Sequence, residues 1–420
     1  MQKEAIHLND NHIPSDNGFQ DAADGSTRFF DAEEQSAIDE LTQELPDAAT
    51  FDDFEQADAD DGTFYDDEDD APLSDDEYTD IPRPSRSKRR PMALRILLPV
   101  AKGLLALVLI AAILAGGLLG YLTVTEYYPA HAETAQRGAV SASEKLSKHS
   151  LRLLTFNTGH AGVSADDEKA LTYNMSGVEC ILEDAAADVL LLQEVDADCA
   201  RSFGKNQWLQ YEYDLKDYES RFAADDSCKY VPFPITSPTG RMNSGIATFS
   251  RYDITSATRY SLPCSVSWPT RVISPKRCLL VTRLPIANSE QELVIVNLRL
   301  ADCDGGEERD AQVEQLLTLL REEYEKGNFV IAGGDFNRTF YGSAATASRP
   351  AVPELPTDEW RYAYDAGTAS FAPRGEDDRP CIVDGYIVSP NVQVDSVRTL
   401  DEDFVYSDHN PVLLEVTLLP

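Results

Sequence analysis

Over the last two thirds of the chain, short apolar runs stop at polar side chains, and a few residue types recur at the stops. Residues 151–156 read as a strand ending at Asn157. Residues 188–193 are nearly continuously apolar, the pattern of a strand buried on both faces, and end at Glu194. Residues 293–296 form another such run, as do residues 329–332, which lead to Asp335 and Asn337. Residues 310–326 carry the helical period instead. Val313, Leu316, Leu317, Leu320 and Tyr324 share one face, and Gly327 supplies a stop. Residues 178–182 and their neighbours read as a second helix. Residues 382–383 and 386–388 read as a strand interrupted by Asp384, and residues 412–418 as a last strand preceded by Asp408 and His409. Strands mixed with helices predict an α/β domain over residues 150–420, and two sheets packed face to face with helices outside would bury this many apolar strands.

Upstream the pattern changes twice. Residues 1–80 hold 27 acidic residues against Lys3 and Arg28. Such a segment cannot bury enough apolar surface to offset its ordering entropy, so a disordered acidic tail is expected, with scattered aromatics that a cytoplasmic partner could hold. Residues 81–102 reverse the sign, with Arg83, Arg86, Lys88, Arg89, Arg90, Arg95 and Lys102 and no acid. An uncharged, Leu/Ala/Ile/Val-rich run then fills residues 103–125, long enough to cross a bilayer as a helix. The basic cluster predicts a cytoplasmic N-terminus and an extracellular C-terminal domain in the cell membrane. Residues 126–149 read as a polar stalk. All seven cysteines lie in the part expected outside, with no C-x-x-C pair to suggest a zinc cluster. An odd count leaves at least one thiol unpaired, and disulfides and buried free thiols are both open.

The polar stops form motifs whose chemistry is coherent. In Gly334-Asp335-Phe336-Asn337, glycine allows a turn after a buried strand and sets a carboxylate and an amide two residues apart. Ser407-Asp408-His409-Asn410-Pro411 joins a carboxylate to an imidazole, a pair able to bind metal and handle a proton. Glu194 at the end of a buried strand needs a partner such as a cation. Asp384 within an apolar strand needs one too, such as a histidine. In this order and spacing the motifs resemble the endonuclease/exonuclease/phosphatase superfamily, which includes pancreatic-type DNases, abasic-site endonucleases, bacterial sphingomyelinases and inositol-phosphate 5-phosphatases. Segments around residues 243–245 and 261–263 resemble a membrane-anchored bacterial subgroup of it.

The resemblance implies a four-layer α/β sandwich and Mg²⁺- or Mn²⁺-assisted, in-line attack of water on a phosphate ester. It implies metal binding by Glu194, Asn157 and Asp408. Asp335 would activate or position water, Asn337 would hold the phosphate, and His409, oriented by Asp384, would sit at the scissile phosphate. Asn297 and Asn243 are the implied substrate contacts. One position departs from the pattern. Where the family has histidine in Asn-x-His-Leu, this chain has Arg299 in Asn297-Leu298-Arg299-Leu300. Arginine matches phosphate geometry but cannot shuttle a proton near neutral pH. A slowed or specialised enzyme and a surface binding or scaffold protein therefore both remain open. Residues 103–420 carry a net charge of −19, which lacks the Lys/Arg footprint of duplex nucleic-acid binding. A small or lipid phosphate ester is the expected substrate, with a nuclease as the alternative.

Overall fold

The structure is a computed structural model that describes residues 92–420 apart from 141, 143, 163–166, 302–306, 341–350, 354–359 and 373–379. The acidic tail and the basic residues up to Arg90 lie outside the described residues. Helix α1 (Met92–Val124) contains the apolar run and starts before it, at Met92, passing through Pro99 in the basic flank. Its stretch Leu97–Val124 is long and apolar enough to cross a membrane.

Fourteen strands follow: β1 (Ala132–Thr134), β2 (Gln136–Arg137), β3 (Ser150–Asn157), β4 (Val189–Asp196), β5 (Glu219–Val231), β6 (Gly240–Ser250), β7 (Ser256–Ser261), β8 (Cys278–Pro285), β9 (Glu292–Arg299), β10 (Phe329–Asp335), β11 (Arg361–Ala363), β12 (Asp384–Val388), β13 (Val392–Thr399) and β14 (Val412–Leu418). Among the described residues three further α-helices are α2 (Glu168–Ala185), α3 (Gln207–Asp214) and α4 (Glu307–Glu325). One sheet has the order β1-β7-β8-β9-β10-β12-β11, the other β13-β14-β3-β4-β6-β5-β2. The segment expected as a stalk is instead part of the domain: β1 pairs with β7, β2 pairs with β5, and Leu146 is fully buried. Each sheet holds one parallel pair, β3–β4 and β9–β10, and α2 and α4 make the two crossovers.

Strand alternation builds the layers. Leu151, Leu153, Val189 and Leu191 of one sheet face Leu293, Ile295, Ile331 and Val388 of the other in the central core. Their neighbours point outward. Leu154, Leu190 and Leu192 meet Val178, Ile181 and Leu182 of α2 and Trp208 and Tyr211 of α3. Val294, Val296 and Val330 meet Val313, Leu316, Leu317 and Leu320 of α4. Helix, sheet, sheet, helix is the four-layer arrangement. Among the described residues Cys180, Cys199, Cys228, Cys264 and Cys278 are free thiols, and Cys199, Cys228 and Cys278 are buried.

Asn297 shows what closes the central core near the strand ends. Its Nδ2 donates to Leu192 O at 3.1 Å and Ala247 O at 2.9 Å, and its Oδ1 accepts from Gln193 Nε2 at 2.8 Å. It is fully buried and ties the two sheets together. The substrate contact expected of it is therefore corrected to a structural bridge: both of its amide hydrogens are held by backbone carbonyls. Asn297→Ala strands those carbonyls and Gln193 in a dry core, so it should destabilise the domain by about 3 kcal/mol in urea unfolding.

Candidate active site

The same alternation places the site. Asn157, Arg299, Asp335 and Asp384 carry the core-facing parity of their strands, at the point where the apolar core ends. Asn157, Arg299 and Asp335 end the parallel strands β3, β9 and β10, and Glu194 lies near the end of the fourth, β4. Clefts beyond the carboxyl ends of parallel strands are where α/β sheets gather ligand groups. Asp335 pairs in register with both Arg299 and Asp384, which fixes those three side by side. Asp384 opens β12 rather than interrupting it.

Glu194 would point to the helix side by simple alternation. A register shift between Leu192 and Val195 and a left-handed φ of 55° turn it into the site. His160 and Asn337 also have positive φ, at 58° and 48°. Three strained non-glycine residues in one place show that the surrounding fold holds this geometry against its local preference. Before Asp335, Gly334 has φ 153° and its position would set a Cβ 2.0 Å from Leu298 O, so only glycine lets β10 approach β9 there.

His409 arrives from the loop before β14. Ser407 Oγ donates to Asn157 O at 2.7 Å and accepts from His409 N at 3.1 Å, which pins this loop to the end of β3. The His409 Nδ1–H donates to Asp384 Oδ2 at 2.8 Å. Ser370 Oγ in turn accepts from the backbone N–H of Val383 and of Asp384, each at 3.0 Å. Burial alone would lower the His409 pKa, but the Asp384 carboxylate outweighs it, with Asp335 adding, and raises it to about 9. Asn157 Nδ2 lies 3.1 Å from Asp335 Oδ2, 3.2 Å from Glu194 Oε1 and 3.3 Å from His409 Nε2. Its two hydrogens go to the two carboxylates, which leaves Nε2 protonated and 3.9 Å from Asp335 Oδ2.

Asp335 itself is pushed up to about 6, chiefly by burial and by the Asp384 charge, against the opposing charges of His409 and Arg299. Asn337 steadies it. The Asn337 N–H donates to Asp335 Oδ1 at 2.8 Å, and its Nδ2 donates to Asp335 Oδ2 at 3.2 Å and Leu300 O at 2.9 Å. The amide thus positions Asp335, where the sequence reading had it hold the phosphate.

Three site residues were missed in the sequence. His160 Nε2 lies 2.8 Å from Glu194 Oε2, and its Nδ1 lies 3.0 Å from Asp196 Oδ1. Arg201 forks onto Asp196, Nε to Oδ2 at 3.0 Å and Nη2 to Oδ1 at 2.8 Å. Both ring nitrogens of His160 face carboxylates, which favours the imidazolium, while Arg201 Nη2 also lies 3.0 Å from Nδ1 and opposes it. Burial opposes this, but the charges of Glu194 and Asp196 raise it to about 9. The usable signal was Asp196 two residues after Glu194 on one strand, a second buried acid needing a cation.

Arg299 Nη2 pairs with Glu194 Oε1, and its Nε lies 4.0 Å from Asp335 Oδ2. Glu194 thus has a cation on each oxygen. Although burial would raise its pKa, Arg299 and His160 hold it well below the carboxylate range. Asp408 lies against Gly159, where a Cβ would sit 3.1 Å from its Oδ1. Asn243 lies half-buried on β6. Its carbonyl accepts from Ala197 and Asp198 N–H, behind the Asp196–Arg201 corner.

The donor chemistry fits a hard divalent cation. Asp335, Asp384 and His409 bring ligand atoms within 4.8 Å of one another, and His409 becomes a ligand only once it has lost a proton. Asp384 Oδ1 is buried with no hydrogen-bond partner among the described residues. Glu194 adds a carboxylate, which an ion can use only if Arg299 gives way.

The two imidazoliums set a pH response. Stability from a raised histidine is complete below the ordinary value of 6.5 and is lost as pH rises through the folded value, here about 9. In EDTA, the Tm should therefore fall between about pH 6.5 and 9. Asp384→Asn should remove the His409 share of that fall. A flat Tm across the window would contradict the assignment.

Two mixed sheets between helices, with an acid–imidazole cluster at the carboxyl ends of the parallel strands, define a hydrolase-type α/β sandwich. The sequence profile of the Endonuclease/Exonuclease/phosphatase family matches residues 154–409, and the chain belongs to this family. The family's description covers endonucleases, exonucleases and phosphatases. No curated protein matches the chain. Among solved structures, the fold is similar to an endonuclease/exonuclease/phosphatase from Beutenbergia cavernae DSM 12333, with 18% identity, a TM-score of 0.50, and coverage of 65% of this chain and 72% of that one. It is also similar to a Bacteroides vulgatus protein of the same description (19%, TM-score 0.48, 64% and 100% covered). ANGEL2, a 2′,3′-cyclic phosphatase solved with adenosine-2′,3′-vanadate, is a third (15%, TM-score 0.47, 68% and 99%).

Proposed function

We propose that the chain is a membrane-tethered, extracellular phosphoesterase that hydrolyses a small or lipid phosphate ester by in-line attack of water. The observation that carries this is the meeting of Asp335, His409–Asp384, Glu194 and Arg299 at one end of the two sheets, in a member of this family. Asp335, ionised above about pH 6, accepts a proton from the attacking water or orients it. The His409 imidazolium, held by Asp384, donates to a phosphoryl oxygen and opposes its growing charge. Arg299 Nε is buried without a hydrogen-bond partner among the described residues and is a second donor for a non-bridging oxygen. Mg²⁺ or Mn²⁺, when bound, supplies Lewis-acid stabilisation, with Glu194, Asn157 and Asp408 as the residues that would hold it.

The full chain in detergent, supplied with Mg²⁺ or Mn²⁺, should hydrolyse small phosphodiesters or phospholipid vesicles. Robust cleavage of duplex DNA with inert lipids would instead make it a nuclease. A second reading, a surface binding protein without turnover, is favoured by the cations already covering both oxygens of Glu194. It predicts that no metal concentration produces turnover. The topology has its own test: protease added to intact cells should remove the C-terminal domain.

A further inference from the structure

The end of α1 is built into the domain. Leu122 is buried with Cys228 and Val272, and Leu118 and Leu119 pack beside Val231 and Ile273. Thr123 Oγ1 accepts from Trp268 Nε1 at 3.1 Å. Arg271 forks onto Glu126, Nε at 3.0 Å and Nη2 at 3.2 Å. The chain then enters β1 at Ala132, so no free linker separates helix from domain.

The apolar stretch Leu97–Val124 has 28 residues. At 1.5 Å per residue that is about 42 Å, while a hydrocarbon core of about 30 Å takes about 20 residues. Counted from Gly103, just past the last charge at Lys102, the hydrocarbon ends near Leu122, on the turn of helix that the domain grips. The segments beside that grip must then lie at the lipid headgroups. What they expose is apolar and aromatic: Phe233 (54% exposed), Ile235 (82%) and Trp268 (54%). Exposed Lys229 stands with them. Aromatic rings and lysine are the residues favoured at this depth.

We infer that the turn joining β5 to β6 and the segment carrying Trp268 form a foot that rests in the lipid headgroup layer. The foot and α1 together hold the domain in one stance on the bilayer. This inference rests on reading α1 as a membrane span. It also orients the site. Asp196, at the end of β4, pairs with Ser244 of β6, and the β5–β6 ribbon runs on from there to its turn at residues 232–239. Four residues of overhang reach about 13 Å past the strand ends. The carboxyl ends that carry the site therefore face the side on which the foot stands, which suits a phosphate ester presented by the lipid surface.

Bromine-labelled phospholipids quench tryptophans within contact range, and the chain has three tryptophans, of which Trp208 and Trp360 are buried. The full chain in vesicles brominated near the headgroup should lose most of the emission of Trp268, and W268F should lose this quenchable component. Ile235→Trp in the W268F background should restore it. Leu109→Trp, in mid-helix, reports the span separately with deeply brominated lipid. Quenching at Leu109→Trp but at neither foot position overturns the foot and leaves the membrane span standing. Absence of quenching at all three positions overturns both. Protection of Trp268 that grows with protein concentration, without lipid quenching, would assign the patch to a second copy of the chain and overturn the inference.

Discussion

Asp335→Asn should lower turnover by a factor on the order of 10²–10⁴ while leaving the domain about as stable as before. The two halves have one cause. Asp335 is buried, and its raised pKa of about 6 means that the fold disfavours its charge. A carboxyl with a raised pKa contributes its stability below its unfolded value and loses it as pH rises through the folded one. At pH 7.5 the ionised group is therefore a net cost, and an amide of equal shape removes it. Asn337 N–H still finds an oxygen at the position of Asp335 Oδ1, while the new amide nitrogen faces the donors Asn157 Nδ2 and Asn337 Nδ2, which offsets the relief. Reaction chemistry loses the base at the same moment. Initial rates on the best ester and urea unfolding of the same preparations check both halves. Unchanged turnover would show that Asp335 is structural and would favour the non-catalytic reading.

Arg299→Ala should tighten divalent-metal binding by at least roughly tenfold, and Arg299→His should do so while raising turnover by up to about 10²-fold. In the structure the guanidinium takes Glu194 Oε1 and lies within 4.0 Å of Asp335, so it occupies the electrostatic position that an ion would use. Two cations cannot share one carboxylate oxygen without mutual repulsion. Removing the tethered one leaves His160 on the other oxygen at 2.8 Å, so Glu194 is not left as an unpaired buried charge. Histidine restores a group that can move a proton near neutral pH, which arginine cannot. Mn²⁺ titration followed by electron paramagnetic resonance measures the affinity without relying on activity. An unchanged affinity in both variants would show that Arg299 is no competitor for metal.

Much of the fold was legible because burial on both faces leaves an unmistakable mark. The runs at residues 188–193, 293–296 and 329–332 became β4, β9 and β10, which start within one residue of the expected positions and run three residues further at their ends. The face Val313, Leu316, Leu317 and Leu320 packs on the sheet as its spacing indicated. Segments of weaker pattern were not legible. Residues 126–149 are polar and short of apolar runs, yet they hold β1, β2 and the fully buried Leu146, because edge strands gain their stability from pairing rather than from their own hydrophobicity. Long β5 and β6 are interior strands and escaped notice because polar and charged residues interrupt their apolar runs.

The site divides along a similar line. Strand ends bearing Asn157, Glu194, Asp335 and Asp384 can be found by parity and by the expense of a buried carboxylate, both local properties of the chain. The partner of each group is not a local property. His160 clasping Glu194, Asn297 bridging two sheets in place of touching substrate, and Arg299 lying on the metal-binding glutamate all depend on contacts across tens or hundreds of residues. Residue type and period of two or 3.6 thus determined the layers and which polar groups stand at their edge. Distances of a few ångströms between elements decided which acid meets which cation, because electrostatic pairing falls off with separation in space and is blind to separation along the chain.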